Sequence, residues 1–182
     1  MTLLPECKPL VNNRQNRNWE QVWRNLTFRY INIHEREIVF KFIHGILPTR
    51  ARLFQIKRKD CPLFSLCNVP DDNMLMFIEC KNKENILKYF KEILSRICDF
   101  CHTDINKTLY LYIKPKNKKQ LNTVIVLTSQ YISTIWFNRD RVSPLSPALF
   151  KVNMLKHQRL LTSVLQDDMS KVFMKKYCTL DY

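Results

Sequence analysis

The chain of 182 residues holds a single glycine, Gly45. Tight hairpins and phosphate-cradling loops draw on glycine for backbone conformations that other residues adopt only with strain, so its scarcity argues against a β-sandwich or a doubly wound sheet and for helices. Long apolar runs are missing as well. No segment approaches the about eighteen consecutive apolar residues of a membrane span. The opening MTLLPECKPL lacks the charged and apolar regions of an export signal. A nuclear or cytoplasmic protein without a membrane partner is therefore expected. Acidic residues are also scarce: sixteen Asp and Glu face thirty Lys and Arg, a net charge of +14 whose field attracts polyanions such as RNA or DNA.

Catalytic signatures are absent too. There is no Walker loop, no Gly-x-Ser-x-Gly elbow, no His-Glu-x-x-His and no Tyr-x-Asp-Asp pair. The pairs Asp71–Asp72 and Asp167–Asp168 each read as a solvated turn or a helix start rather than as a two-metal site, so an enzyme is not expected.

What is present is apolar substance: 46% hydrophobic and 12% aromatic residues, far from the composition of a disordered chain. A chain of this length can bury one continuous core without disulfides. The seven cysteines, odd in number, read as reduced thiols or metal ligands.

Helical periodicity recurs along the chain. Trp19, Val22, Trp23 and Leu26 mark a first helix with Asn18 as its N-cap. Ile38, Val39, Phe42, Ile43 and Ile46 mark a second, with His34 to Glu37 as a charged first turn and Gly45 and Pro48 as its stop. Thr49 caps a short third helix, Arg50 to Ile56, with Leu53 and Ile56 facing inward. Residues 60–82 lose the period. It returns at Ile86, Leu87, Phe90, Ile93, Leu94 and Ile97. Leu109 to Ile113 reads equally as strand, helical turn or strap. Lys118 to Arg139 predicts a long helix, apolar on one side through Val124, Ile125, Tyr131, Ile132, Ile135 and Trp136. Two final helices are expected over 147–166 and 168–177, with Leu149, Val152 and Leu155 inward. The expected fold class is all-α: one irregular helical bundle with a loop-rich, Cys-containing insert. Residues 1–17 form a lead-in, 18–142 the main helical region, and 143–182 C-terminal helices packed on it.

Trp19 to Cys80 resembles the zinc-binding domain downstream of the reverse transcriptase in non-LTR, LINE-type retrotransposon polyproteins. The resemblance is carried by Trp19 and Trp23 in an opening helix, by the run from Phe40 through His44, Gly45, Leu47, Pro48, Thr49, Arg50 and Arg52 to Leu53, and by Cys61-Pro62 with Phe77-Ile78-Glu79-Cys80. The stretch Ile135 to Asp140 resembles the helix that follows in that family.

The resemblance implies a Cys-Pro-x-Cys, His-x-x-x-x-Cys zinc site. This chain departs from it, with Phe64 at the second cysteine and Leu75 at the histidine. Cys61 and Cys80 match, and Cys67 could stand in after a short insertion. A zinc site would then need a fourth ligand from Cys98, Cys101 or His102, because closed structural sites use four. The plainer expectation is no cofactor, the cysteines packing as small hydrophobes with Phe64, Leu66, Met74, Met76 and Phe77. Cys98-x-x-Cys101-His102 also spells a c-type haem motif, read here as chance.

Basic residues gather at Arg50, Arg52, Lys57, Arg58 and Lys59, at Lys116, Lys118 and Lys119 beside Lys114, and at Lys171, Lys175 and Lys176. With the overall charge they point to phosphate contact, and Phe54, Tyr110 and Tyr112 are candidate stacking partners for bases. Trp19, Trp23, Phe40, Phe42 and Trp136 are expected in the core. The expected role is a non-catalytic nucleic-acid-binding remnant of such a polyprotein, working with a reverse transcriptase supplied by another chain. The rival is a structural or protein-interaction helical module.

Overall fold

A computed structural model describes residues 19–97, 105–112, 118–140 and 143–165, and within them the chain is all-α. The described helices are α1 (Trp19–Leu26), α2 (Ile33–Ile43), α3 (Arg50–Gln55), α4 (Glu84–Ile97), α5 (Ile105–Leu109), α6 (Lys118–Phe137) and α7 (Pro147–Leu165). Between α3 and α4 lies the Cys-containing insert, with a π turn at Leu75–Glu79 and a 3-10 turn at Lys81–Lys83. Among the described residues its only β feature is an isolated antiparallel bridge between Leu63 and Pro70. The lead-in over 1–17, Asn18 and the helix expected over 168–177 lie outside the described residues.

Local chemistry sets the helix ends. The Asn32 side chain accepts the Glu35 N–H at 2.9 Å and starts α2. Gly45 stops it with a φ of +65°, a left-handed turn that costs glycine no side-chain clash. Thr49 caps α3 as expected, its hydroxyl accepting the Arg52 N–H at 3.3 Å. In α3, however, the buried residue is Ala51, while Leu53 is half-exposed and Ile56 is 56% exposed. The helix ends after six residues, before its apolar side chains can be enclosed. Ile46 and Val152, also expected inside, are exposed.

Helix α6 is not the one-sided helix of the sequence reading. Every residue from Thr123 to Ile135 except Val126 is buried, because α2, α4, α5, α7 and the π turn all pack around it. Its Ser and Thr residues suit this position, since a small hydroxyl can bond within its own helix: Ser129 donates to the Ile125 carbonyl at 2.9 Å. Around it, Tyr131 stacks on Phe90 at 4.3 Å between ring centres, and Phe150 meets both rings edge-on. The Tyr131 hydroxyl donates to the Phe77 carbonyl at 2.6 Å, tying the insert to the central helix.

The segment left open by its sequence is a helical turn. After α5, Leu111 takes a left-handed φ of 56°, and the buried Asn25 amide donates to its carbonyl at 2.9 Å. Ile113 lies outside the described residues.

The charged first turn expected for α2 is only partly on the surface, because Glu35 turns inward. Its Oε1 accepts from Gln130 of α6 at 2.6 Å, from Asn32, and meets His157 Nδ1 of α7 at 3.1 Å. His157 Nε2 lies 2.8 Å from the Tyr30 carbonyl, which can only accept, so that nitrogen carries a proton. Burial of a carboxylate is tolerable when donors surround it, and here the side-chain amides of Asn32, at the start of α2, and Gln130 of α6 supply them.

Candidate nucleic-acid interface

The C-terminal end of α3 is built by a reversal of the chain. The Lys57 N–H donates to the Phe54 carbonyl at 2.9 Å and the Arg58 N–H to the Leu53 carbonyl at 2.8 Å, closing the helix with Lys57 at a left-handed φ of 57°. Glycine is the usual occupant of such a position, so a lysine there carries strain of about 1 kcal/mol. The turn leaves Lys57, Arg58 and Lys59 exposed in succession.

The other two basic residues of this cluster are partly committed to structure. The Arg50 N–H donates to Asp71 Oδ2 at 2.8 Å, and its side chain is half-buried. Burial pushes the Asp71 carboxyl above the usual range, and the Arg50 N–H works against that shift. Arg52 donates through Nη1 to the Gly45 carbonyl at 3.0 Å, which braces α3 against the end of α2.

That end of α2 carries aromatic rings. His44 stacks on Trp23 at 5.1 Å and lies 4.3 Å from Phe40, while Trp23 stacks on Trp19 at 5.7 Å. Phe40 is 40% exposed, contrary to its expected place in the core, whereas Phe42 is fully enclosed. The register explains the difference: Val39, Phe42 and Ile43 form the buried stripe, and Phe40 and His44 lie beside it. Trp136 is half-buried under the Arg139 guanidinium, 4.0 Å above its ring.

Of the expected stacking partners, Tyr110 is buried, 5.0 Å from Phe42, and serves the core. Phe54 and Tyr112 are half-buried. Lys118 and Lys119 begin α6; Lys114, Lys116, Lys171, Lys175 and Lys176 lie outside the described residues. Through Arg52 the structure links α3 to Gly45, next to His44 in a half-open aromatic stack whose Trp19, Trp23 and Phe40 were expected in the interior.

The insert brings together Cys67 and Cys80, with their sulfurs 3.7 Å apart, and leaves Cys61 exposed. Phe64 and Leu75, which stand at the resemblance's second cysteine and histidine positions, are buried with Cys80 in a small apolar cluster that Cys67 packs against. Leu66 is exposed instead, and Met76 and Phe77 join the main core. Burial pushes the Cys67 thiol up, and its contact with Cys80 adds to the effect. Lys83 is buried over the Phe64 ring at 5.3 Å, and burial pushes its ammonium down. Among the described residues no three His, Cys, Asp or Glu side chains converge to hold a metal, and two thiols do not supply the four donors of structural zinc. Cys98, Cys101 and His102 lie outside the described residues.

Comparison with protein-family models, with curated proteins and with solved structures finds no match. No described helix is long and apolar enough to cross a membrane.

Proposed function

We propose that this chain is a non-catalytic nucleic-acid-binding module, derived from the region after the reverse transcriptase of a non-LTR retrotransposon polyprotein, and that it contacts RNA or DNA mainly through phosphates. The observation that supports this most is the Arg52 to Gly45 bond, because it braces α3, which ends in the exposed cations Lys57 to Lys59, against the end of α2, which carries the rings of Phe40 and His44. Cations on the backbone and aromatic faces for unstacked bases are the two components of sequence-tolerant single-strand binding. Lys57, Arg58, Lys59 and Arg50 are the phosphate contacts, and Phe40 is the stacking face. In this reading a polymerase from another chain works on the bound strand, in the nucleus or the cytoplasm, and the chain needs no cofactor.

The test is a salt titration with a short single strand. Four contacts give a slope of log affinity against log salt of about −2.8 to −3.6, at about 0.7 to 0.9 per phosphate. Replacing Lys57, Arg58 and Lys59 by Gln leaves one contact, with a slope of about −0.7 to −0.9. Salt-independent binding, or an unchanged slope in the variant, contradicts the proposal. Ile33, Ile56 and Phe137, each more than half exposed, support a second reading, a protein-interaction module. It gains if no oligonucleotide binds in dilute buffer.

A further inference from the structure

The insert between α3 and α4 turns back on itself between Phe64 and Val69. The Phe64 N–H donates to the Val69 carbonyl and the Asn68 N–H to the Phe64 carbonyl, each at 2.8 Å. Asn68 takes a left-handed φ of 54°, which asparagine tolerates better than most residues. The turn leaves Ser65, Leu66 and Asn68 exposed, with Cys67 half-buried among them. Cys80 arrives from the far end of the insert, where the π turn stops, and only 2% of it is open. The two sulfurs lie 3.7 Å apart, across thirteen positions of sequence. A disulfide bond measures about 2.05 Å, so a swing of the Cys67 side chain at the exposed turn closes the gap. Among the described residues no group of three His, Cys, Asp or Glu forms around them, and what the insert presents is a dithiol.

The two thiols are unequal in access. A dissolved reagent meets Cys67 first, and Cys80 behind it is covered by the Phe64 and Leu75 cluster. An accessible thiol in contact with a covered one is the arrangement of an attacking and a resolving cysteine. Burial holds Cys67 in its thiol form, and the charge of buried Lys83 works the other way. The first step is therefore slow at neutral pH, whereas the second, between atoms already in contact, is favoured by proximity. The stretch between the two cysteines also carries the ties of the insert to the helices. Asp71 accepts the Arg50 N–H at 2.8 Å through its side chain and the Ala51 N–H at 3.2 Å through its carbonyl, holding the start of α3. The Phe77 carbonyl accepts the Tyr131 hydroxyl of α6. A bond from Cys67 to Cys80 closes a ring of chain around both ties.

We propose that Cys67 and Cys80 are a redox latch: a reversible disulfide, formed by exchange with a small-molecule disulfide such as oxidised glutathione, that locks the insert onto α3 and α6. The Cys67 thiolate attacks one sulfur of the reagent, which leaves half of it on Cys67 and releases the other half as a thiolate. The Cys80 sulfur then attacks Cys67 Sγ and expels the second half. Two protein thiols are oxidised, one reagent disulfide is reduced to two thiols, and the two protons pass to the departing thiolates. In a reducing compartment such a bond is transient, which suits a sensor. The test incubates the intact chain with oxidised glutathione and maps its peptides by mass spectrometry without reduction. The first internal cross-link should join Cys67 to Cys80, and reduced glutathione should reopen it. The cross-linked chain should melt about 6 to 12 °C above the reduced one, the effect of closing a loop of about fifteen residues. In Cys80→Ala the reaction should stop at a glutathione adduct on Cys67. If that variant fails to fold, the map of the unaltered chain still decides. A first cross-link elsewhere, none at all, a bond that reduced glutathione cannot reopen, or a bond that leaves Tm unchanged overturns the latch.

Discussion

Replacing Tyr131 by Phe removes one oxygen from the centre of the molecule. The ring keeps its place against Phe90 and Phe150, and the Phe77 carbonyl loses the donor it holds at 2.6 Å. An acceptor stranded in a dry interior costs about 1 to 3 kcal/mol. For a chain of this size that is a fall of about 2 to 12 °C in Tm. A second arm of the experiment uses pH. Burial raises the Tyr131 hydroxyl far above its ordinary value, so the folded chain keeps this proton where the unfolded chain releases it. Above a pH of about 10 the unfolded state binds fewer protons, and wild-type stability then falls by about 1.4 kcal/mol per pH unit on this account alone. The Phe variant lacks that penalty. The gap seen at pH 7 should therefore narrow through pH 10 to 11, measured as the difference between urea unfolding curves so that the remaining tyrosines cancel. A variant as stable as wild type at pH 7, or a gap that does not narrow, refutes the reasoning.

Three further outcomes are expected. Lys57→Gly relieves the left-handed strain at the end of α3, so thermal unfolding should show a gain of about 1 kcal/mol; salt titration should show a slope shallower by about 0.7 to 0.9. A variant neither more stable nor less salt-sensitive contradicts both roles of Lys57. Glu35→Ala strands Gln130 in the interior and should cost about 1 to 3 kcal/mol in urea unfolding; a loss under about 0.5 kcal/mol, as for a surface change, would mean the network is idle. Timed alkylation read by mass spectrometry should label exposed Cys61 well before Cys67 and Cys80, and equal rates would dissolve the apolar cluster around Phe64 and Leu75.

Much of the helical framework was legible because a helix repeats its buried face locally. Trp19 to Leu26 and Ile86 to Ile97 needed only their own spacing, and Thr49 and Gly45 marked boundaries by chemistry that acts within a few residues. The inward turn of Glu35 was illegible for the opposite reason. Apart from neighbouring Asn32, its partners Gln130 and His157 lie 95 and 122 residues away, and nothing near Glu35 in sequence announces them. The π turn at Leu75 depends similarly on context: Asp72 accepts the Leu75 N–H at 2.8 Å, within a stretch whose sequence shows no helical period. At the candidate interface the exposed cations Lys57 to Lys59 could be read directly. Phe40 and Tyr110 could not, since composition says that aromatics are usually enclosed but not which one a neighbouring helix leaves uncovered.

The Glu35–His157 contact orders events during synthesis. When α2 leaves the ribosome its carboxylate has only Asn32 beside it, and Gln130 follows 95 residues later and His157 122 residues later. The first helices therefore cannot settle dry against α6 by themselves. The last of the described helices brings the imidazole that closes the site around the carboxylate.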